Sequence, residues 1–180
     1  CEDQDFFRFS GIFRSVYLYA VPDTHISDVR IRTDLNGEYS RADLVVTLTG
    51  LMNKATAVSS ARARLVLTDG AAAIAEVETV LTEGENQPVH MAVDAPRLWS
   101  AEKPFLYELT ITVYGADGKV AELIPQKVGF RRFAIDNGIM TINGKRIVFK
   151  GADRHEFSGR FGRVPNEEEM LQDIVTMKRH

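Results

Sequence analysis

Residues 153–156 read Asp-Arg-His-Glu and follow the apolar pair Val148-Phe149 after three residues. We call residues 153–156 the polar turn. A polar turn that follows a short buried strand is where (β/α) barrels carry their chemistry. The imidazole of His155 can donate a directed hydrogen bond without adding a negative charge. Taken alone, a single histidine between an arginine and a glutamate is more typical of a structural polar residue.

A second polar cluster lies at the start of the sequence. Glu2, Asp3 and Asp5 place three carboxyl groups within four residues, and Arg8 follows closely. Such carboxylates repel one another unless a cation, an arginine or a water-filled loop receives them. Composition alone favours a solvated turn over a binding site here, because structural ion networks outnumber functional ones.

The segments around the polar turn predict the scaffold that positions it. Residues 141–150 alternate around Asn143-Gly144, which is the strongest short-range signal for a tight hairpin. Asn166 and Glu169 have the spacing of a capping box. Apolar residues then recur at helical spacing, at Met170, Leu171, Ile174, Val175 and Met177. Strand, polar loop and capped helix make one β/α unit, whose next strand we expect beyond residue 180.

Residues 25–130 show a different pattern, with short alternating segments separated by turn residues. The predicted strands are 26–33, 42–51, 61–68, 74–81, 88–93, 106–114 and 120–128. Seven strands over about a hundred residues, with no helical period between them, are typical of an immunoglobulin-like two-sheet sandwich. The fold class is therefore mainly β. Cys1 is the only cysteine in the sequence, so packing must hold the sandwich without an internal disulfide.

Residues 12–21 predict one further strand, with Val16, Leu18 and Ala20 on one face. A single strand cannot bury itself, so we expect residues 1–21 to be the last edge of a preceding domain. Trp99 lies between Pro96 and Pro104, where a packing role at a sheet end or domain seam is more common than a sugar platform.

Charge and hydropathy exclude two classes of partner. The formal net charge is −3, which argues against a nucleic-acid surface. Four arginines repeat at i, i+2 spacing and are expected on exposed strand faces, at positions 30, 32, 62 and 64. No apolar run approaches 18 residues and no signal-peptide pattern is present, so we expect no membrane span.

The order and spacing of these motifs resemble those of β-galactosidases of glycoside hydrolase family 2 along essentially all 180 residues. The markers are residues 2–5, residues 7–14, Leu98-Trp99-Ser100, residues 128–131, residues 143–145, Lys150-Gly151 and residues 154–157. The resemblance implies three parts. Residues 1–21 would end a jelly-roll sugar-binding domain, residues 22–132 would form an immunoglobulin-like domain, and residues 133–180 would begin a truncated (β/α)8 catalytic barrel, the TIM barrel.

The resemblance also implies site residues. Asp5 matches the aspartate that contacts the galactosyl group and helps to bind a sodium ion, and a carboxylate suits such a hard cation. His155 matches the histidine that hydrogen-bonds the galactosyl ring and favours its transition state. Sodium and magnesium are expected in the complete enzyme, and none bound to this chain alone.

The chain also departs from the family pattern. Asp153 stands where the related sequences usually have asparagine, and we expect a local ion pair with Arg154 to absorb its charge. The acid/base and nucleophile glutamates of the family are absent from this chain. The carboxylates nearby are not replacements, because Glu167, Glu168 and Glu169 sit in the first helical turn and favour its dipole.

The expected function is therefore part of a retaining β-galactosidase that hydrolyses terminal non-reducing β-D-galactosides, with no activity in this chain alone. Its partners would be the galactoside and the rest of its own chain, with no nucleic acid and no membrane. The complete enzyme is expected to be cytoplasmic and a homo-oligomer. Two alternatives stay open: a non-catalytic carbohydrate-binding or adaptor sandwich, and part of a β-glucuronidase or β-mannosidase.

Overall fold

The computed structural model describes residues 11–12, 14–52, 58–164 and 166–180. The chain divides into two compact units. The sandwich unit is Ala20–Val148, and the terminal unit combines Cys1–Tyr19 with Phe149–His180.

The sandwich unit is built from antiparallel strands. In chain order they are β1 Thr24–Leu35, β2 Arg41–Met52, β3 Ser60–Asp69, β4 Ala72–Thr82, β5 Gly84–Glu85, β6 Val89–Asp94, β7 Tyr107–Tyr114, β8 Val120–Val128, β9 Phe133–Asp136, β10 Ile139–Ile142 and β11 Lys145–Arg146. One sheet joins β1, β2, β5 and β6, and a second has the order β4-β3-β7-β8. The seven strands predicted between residues 25 and 130 are confirmed, and the short β5 is an addition to them.

The core lies between these two sheets. Alternate residues of a strand point to the same face, so each central strand contributes one apolar row. The rows are Leu44, Val46 and Leu48 from β2, Leu65 and Leu67 from β3, and Leu109, Ile111 and Val113 from β7, all at most 1% exposed. Each such side chain contributes about 1.5–3 kcal/mol by leaving water. This burial stabilises the sandwich without a disulfide.

The outward faces carry ion pairs. Arg62 pairs with Glu78 and Arg64 with Glu76 across β3 and β4, both at 2.6 Å. The hydrogen bond from Arg64 holds the pKa of the Glu76 carboxyl below its ordinary value. Arg30 and Arg32 likewise contact carboxylates. The interpretation of these four arginines as solvated strand-face residues is confirmed.

Tyr107 fixes the corner before β7. Its ring is 4% exposed and packs edge-to-face on Phe130, with the ring centres 5.1 Å apart. Its hydroxyl accepts a hydrogen bond from the backbone N–H of Arg97 at 2.9 Å. This arrangement is the counterpart of the tyrosine corner of immunoglobulin-like sandwiches.

Trp99 joins the sandwich to the small sheet β11-β10-β9. The backbone N–H of Trp99 donates to the carbonyl of Phe130 at 2.9 Å, and its own carbonyl accepts from Asn143 Nδ2 at 3.0 Å. The Arg131 guanidinium lies 4.5 Å from the ring centre. The structural role predicted for Trp99 is confirmed.

The predicted hairpin is also confirmed. β10 pairs with β11 across Asn143-Gly144, whose φ angles are 51° and 72°. Two successive positive φ values are what a type I′ turn requires, and Asn-Gly adopts them at low cost.

Helix α1 spans Glu167–Arg179 in the terminal unit. The Asn166 side chain caps it by accepting from the Glu169 N–H at 3.1 Å, which confirms the predicted start. The apolar residues of the helix are all at least partly exposed, since none of its residues is buried. Among the described residues, no helix has both the length and the apolarity needed to cross a membrane.

Two predicted strands are wrong. The described residues of the strand predicted over 12–21, and the short strand predicted at Val148-Phe149, have no strand conformation in the structure. The physical reason is that a strand needs a neighbour to receive its backbone hydrogen bonds. Alternation in the sequence does not provide that neighbour.

Gly50 tests the packing of β2 against β4. A Cβ at Gly50 would overlap the backbone carbonyl oxygen of Thr82 and lie 3.0 Å from Leu81 Cγ. We expect Gly50→Ala to lower the free energy of unfolding by about 2 kcal/mol or more, because overpacked backbone has no room to yield. Urea unfolding measures this loss. Gly37→Ala is the control, since a Cβ there meets nothing within 4 Å. Equal stability of the two variants would contradict the packing described.

The Tyr107 corner gives a second stability test. Tyr107→Phe removes the hydroxyl and leaves the partly buried Arg97 N–H without that acceptor. The expected loss is about 1–2 kcal/mol of unfolding free energy, measured by thermal or urea unfolding. Tyr19→Phe serves as control because that ring is 80% exposed. An unchanged midpoint for Tyr107→Phe would show that the hydrogen bond does not stabilise the corner.

Candidate functional site

The polar turn lies in the terminal unit, and Arg154 connects it to helix α1. Arg154 Nε and Nη2 both donate to Asp173 Oδ2, at 2.7 Å and 2.6 Å. The side chain of Arg154 is 29% exposed and that of Asp173 is 51% exposed. One end of the turn is therefore held against the second turn of the helix.

Glu156 holds the other side of the turn. Arg14 Nη2 donates to Glu156 Oε2 at 2.5 Å, and Arg14 Nη1 reaches the carbonyl of Arg163 at 3.3 Å. One guanidinium thus connects the N-terminal segment of the unit both to the turn and to the chain that leads into α1.

Ser158 closes the loop that follows. It is 7% exposed, and its Oγ accepts from the backbone N–H groups of Arg160 and Phe161 at 3.1 Å and 3.2 Å. The same hydroxyl donates to Glu169 Oε1 at 3.1 Å. Ser158 also exchanges two backbone hydrogen bonds with Gly162. Every polar atom of this residue therefore stabilises the loop.

The helix explains why these contacts form together. Glu169 and Asp173 are four residues apart, so they lie on the same face of α1, one turn apart. The Asn166 cap fixes the first turn and so sets the position of both carboxylates. One helix face therefore receives Ser158 and Arg154 at once.

His155 is exposed and lies between the two anchored residues. Its backbone carbonyl accepts from the N–H of Phe157 at 2.9 Å. An imidazole presented in this way can hydrogen-bond a sugar hydroxyl. It cannot hydrolyse a glycoside alone, because that reaction requires a pair of carboxyl groups flanking the bond.

A shallow open pocket lies beside the turn. Its empty volume is about 210 Å³, below the roughly 300–1,000 Å³ of ordinary ligand pockets. The residues that line it are Arg154, Glu156, Phe157, Ser158, Val164, Asn166, Glu169 and Met170. The pocket is part of the scaffold of the turn and is too small to enclose a ligand.

The sequence predictions for the site meet different outcomes. Asp5 lies outside the described residues, so its galactosyl and sodium contacts stay predictions. The expected pair between Asp153 and Arg154 is wrong, since Arg154 pairs with Asp173. Two guanidinium nitrogens of Arg154, Nε and Nη2, donate to Asp173 Oδ2, so the helix carboxylate takes the place of the chain neighbour. Within the described part of the chain, no group of three or more His, Cys, Asp and Glu residues could hold a metal ion.

Sequence reasoning missed the contacts of Asp173, Arg14 and Ser158. The i, i+4 spacing of Glu169 and Asp173 was a signal for the contact of Asp173, because this spacing marks one polar helix face. No spacing signal joins Arg14 to Glu156, which lie 142 residues apart.

Two family models match the chain. "Glycosyl hydrolases family 2" matches residues 24–131, and "Glycosyl hydrolases family 2, TIM barrel domain" matches residues 133–180. These matches cover both the sandwich and the segment with the polar turn.

Curated relatives align along 99% of the chain. A β-galactosidase of Halalkalibacterium halodurans is 48% identical and one of Clostridium acetobutylicum is 43% identical. The chain spans 17% and 19% of the length of these two relatives.

Solved structures share the fold. A β-glucuronidase of Parabacteroides merdae matches with a TM-score of 0.80 at 21% identity, over 92% of this chain and 21% of that chain. An unliganded β-glucuronidase of Ruminococcus gnavus matches with a TM-score of 0.74 at 23% identity, over 94% of this chain and 26% of that chain. At such identities the likeness shows the fold alone.

Ser158 provides a test of the loop. Ser158→Ala removes one acceptor and one donor from a buried position, which leaves two backbone N–H groups and Glu169 without that hydroxyl. We expect the local opening free energy of residues 158–162 to fall by about 1–3 kcal/mol, measured by amide hydrogen exchange. Ser27→Ala is the control, because the exposed Ser27 hydroxyl donates one hydrogen bond, to the backbone carbonyl of Thr49. Unchanged exchange at residues 158–162 would contradict this role.

Proposed function

Because the chain belongs to glycosyl hydrolase family 2, we propose that it is one part of a retaining β-galactosidase acting on terminal non-reducing β-D-galactosides. The observation that carries the proposal is the 48% identity to a curated β-galactosidase along 99% of the chain. That alignment includes the sandwich, the polar turn and helix α1. The rest of the enzyme would supply what this part of the protein lacks.

In this proposal His155 contacts the galactosyl group. Its imidazole donates or accepts a hydrogen bond that is stronger in the transition state than in the bound substrate, which raises kcat rather than only affinity. The anchored neighbours keep the ring where the sugar arrives. His155 does not transfer the glycosyl group.

The bond-breaking step belongs to two carboxyl groups in the remainder of the protein. In retaining glycosidases they lie about 5 Å apart, and one forms a covalent glycosyl intermediate while the other acts as acid and then as base. This chain alone is therefore proposed to be inactive.

The ions, compartment and assembly of the complete enzyme stay proposals that rest on the resemblance in the sequence. Asp5 would contact the galactosyl group and provide a sodium ligand, since carboxylate oxygens suit hard cations. Magnesium would bind elsewhere in the complete enzyme. A cytoplasmic homo-oligomer is proposed on the same ground.

The substrate is tested on the full-length protein that contains this chain. We expect nitrophenyl β-galactoside to be hydrolysed with a higher kcat/KM than the corresponding glucuronide or mannoside. A preference for either of the other two sugars would overturn the proposed substrate and favour a sister hydrolase. Saturable galactose binding by residues 1–180 alone would favour a non-catalytic binding module.

The role of His155 is tested in the same protein. Because one transition-state hydrogen-bond donor is typically worth 10²–10³-fold, we expect His155→Ala to lower kcat/KM for the galactoside by roughly that factor. His90→Ala is the matched control, since His90 is an exposed imidazole of the sandwich that pairs with Asp43. Similar activity of the two variants would exclude His155 from the site.

A further inference from the structure

The residues on both sides of His155 are held by ion pairs, and His155 is the exposed residue between them. Arg154 is held by Asp173 of helix α1, and Glu156 by Arg14. The hydrogen bond from the Phe157 N–H to the His155 carbonyl adds a third restraint. The backbone of His155 is therefore fixed from three directions, all within the terminal unit.

We propose that Asp173 and Arg14 are positioning residues, which act on the galactoside through His155. Neither needs to touch the sugar. Each restrains a chain neighbour of His155, and together they determine where the imidazole is presented. This inference rests on the proposed function, because it takes His155 to be the group that meets the galactosyl ring.

The need for such a restraint follows from the location of His155. Residues 151–157 have no helix or strand hydrogen-bond ladder to hold them. A group that stabilises a transition state must be held within about 0.5 Å of its productive position. In this segment, side-chain ion pairs replace the ladder as the source of order.

Because these ion pairs are largely exposed to solvent, their effect on the position of the turn can be measured separately from their effect on global stability. The side chains of Arg14 and Glu156 are 53% and 44% exposed, and those of Arg154 and Asp173 are 29% and 51% exposed. Exposed ion pairs contribute little to global stability, because water and salt screen them. Their loss is therefore expected to change the position of the turn while leaving the melting temperature almost unchanged.

The two pairs also balance charge around the imidazole. The cation at Arg154 is matched by Asp173, and the anion at Glu156 is matched by Arg14. His155 is thus presented between two neutralised neighbours. An imidazole can exchange a directional hydrogen bond with a neutral sugar hydroxyl.

The experiment measures kcat, KM and melting temperature for Asp173→Asn and Arg14→Gln in the full-length protein. Since a displacement of about 1 Å at a reacting centre costs up to 10²-fold, we expect kcat on nitrophenyl β-galactoside to fall roughly 10- to 100-fold. We expect KM and the melting temperature to stay near the wild-type values. Asp173→Glu keeps the carboxylate and should recover most of the lost kcat.

Glu76→Gln is the matched control. It removes a carboxylate from an ion pair of the same 2.6 Å length and similar exposure, on the outer face of the sandwich. Its kcat should equal that of the wild type. A loss equal to that of Asp173→Asn would show that removing any exposed ion pair lowers activity, and would overturn the proposal.

A double-mutant cycle shows whether Asp173 acts through His155. If it does, Asp173→Asn has almost no further effect on kcat when His155 is already alanine. If Asp173→Asn lowered kcat by its full factor in the His155→Ala background, the positioning role would be overturned. An unchanged kcat in the Asp173→Asn single variant would overturn it as well. Failure of the proposed function is a different result, in which the wild-type protein does not prefer the galactoside or His155→Ala keeps full activity.

Discussion

A β-strand is stable only when a neighbouring strand receives its backbone hydrogen bonds, and the whole structure depends on this constraint. In the sandwich unit each long strand has such a neighbour, and the paired strands then bury their apolar rows in one core. Residues 14–21 and the pair Val148-Phe149 have suitable alternation or apolar residues but belong to no strand pairing. They stay irregular for that reason.

The two units are therefore held by different forces. Apolar burial dominates in the sandwich, where residues such as Leu65 and Leu109 are fully buried. Polar contacts dominate around the turn, where Ser158, Arg154 and Glu156 reach helix α1 or Arg14. Stabilisation by apolar burial is not screened by salt, whereas exposed ion pairs weaken as the salt concentration rises. The contacts that hold the polar turn therefore depend on ionic strength more than the core of the sandwich does.

This difference suits the proposed role of each unit. A rigid sandwich of the glycosyl hydrolase family 2 type needs no reactive groups of its own. The polar turn presents His155 through contacts that fix its backbone but leave the imidazole exposed. The two curated relatives are several times longer than this chain. In the proposed function, other parts of the protein complete the site.

The sequence by itself determined the seven sandwich strands, the Asn143-Gly144 turn, the start of α1 and the candidacy of His155. Each of these depends on local pattern or on motifs that lie close together in the chain. Only the tertiary structure decided which alternating segments become strands, and which side chains pair with Arg154 and Glu156. Those outcomes depend on partners such as Asp173 and Arg14, which are distant in sequence, and periodicity contains no information about contacts between distant segments.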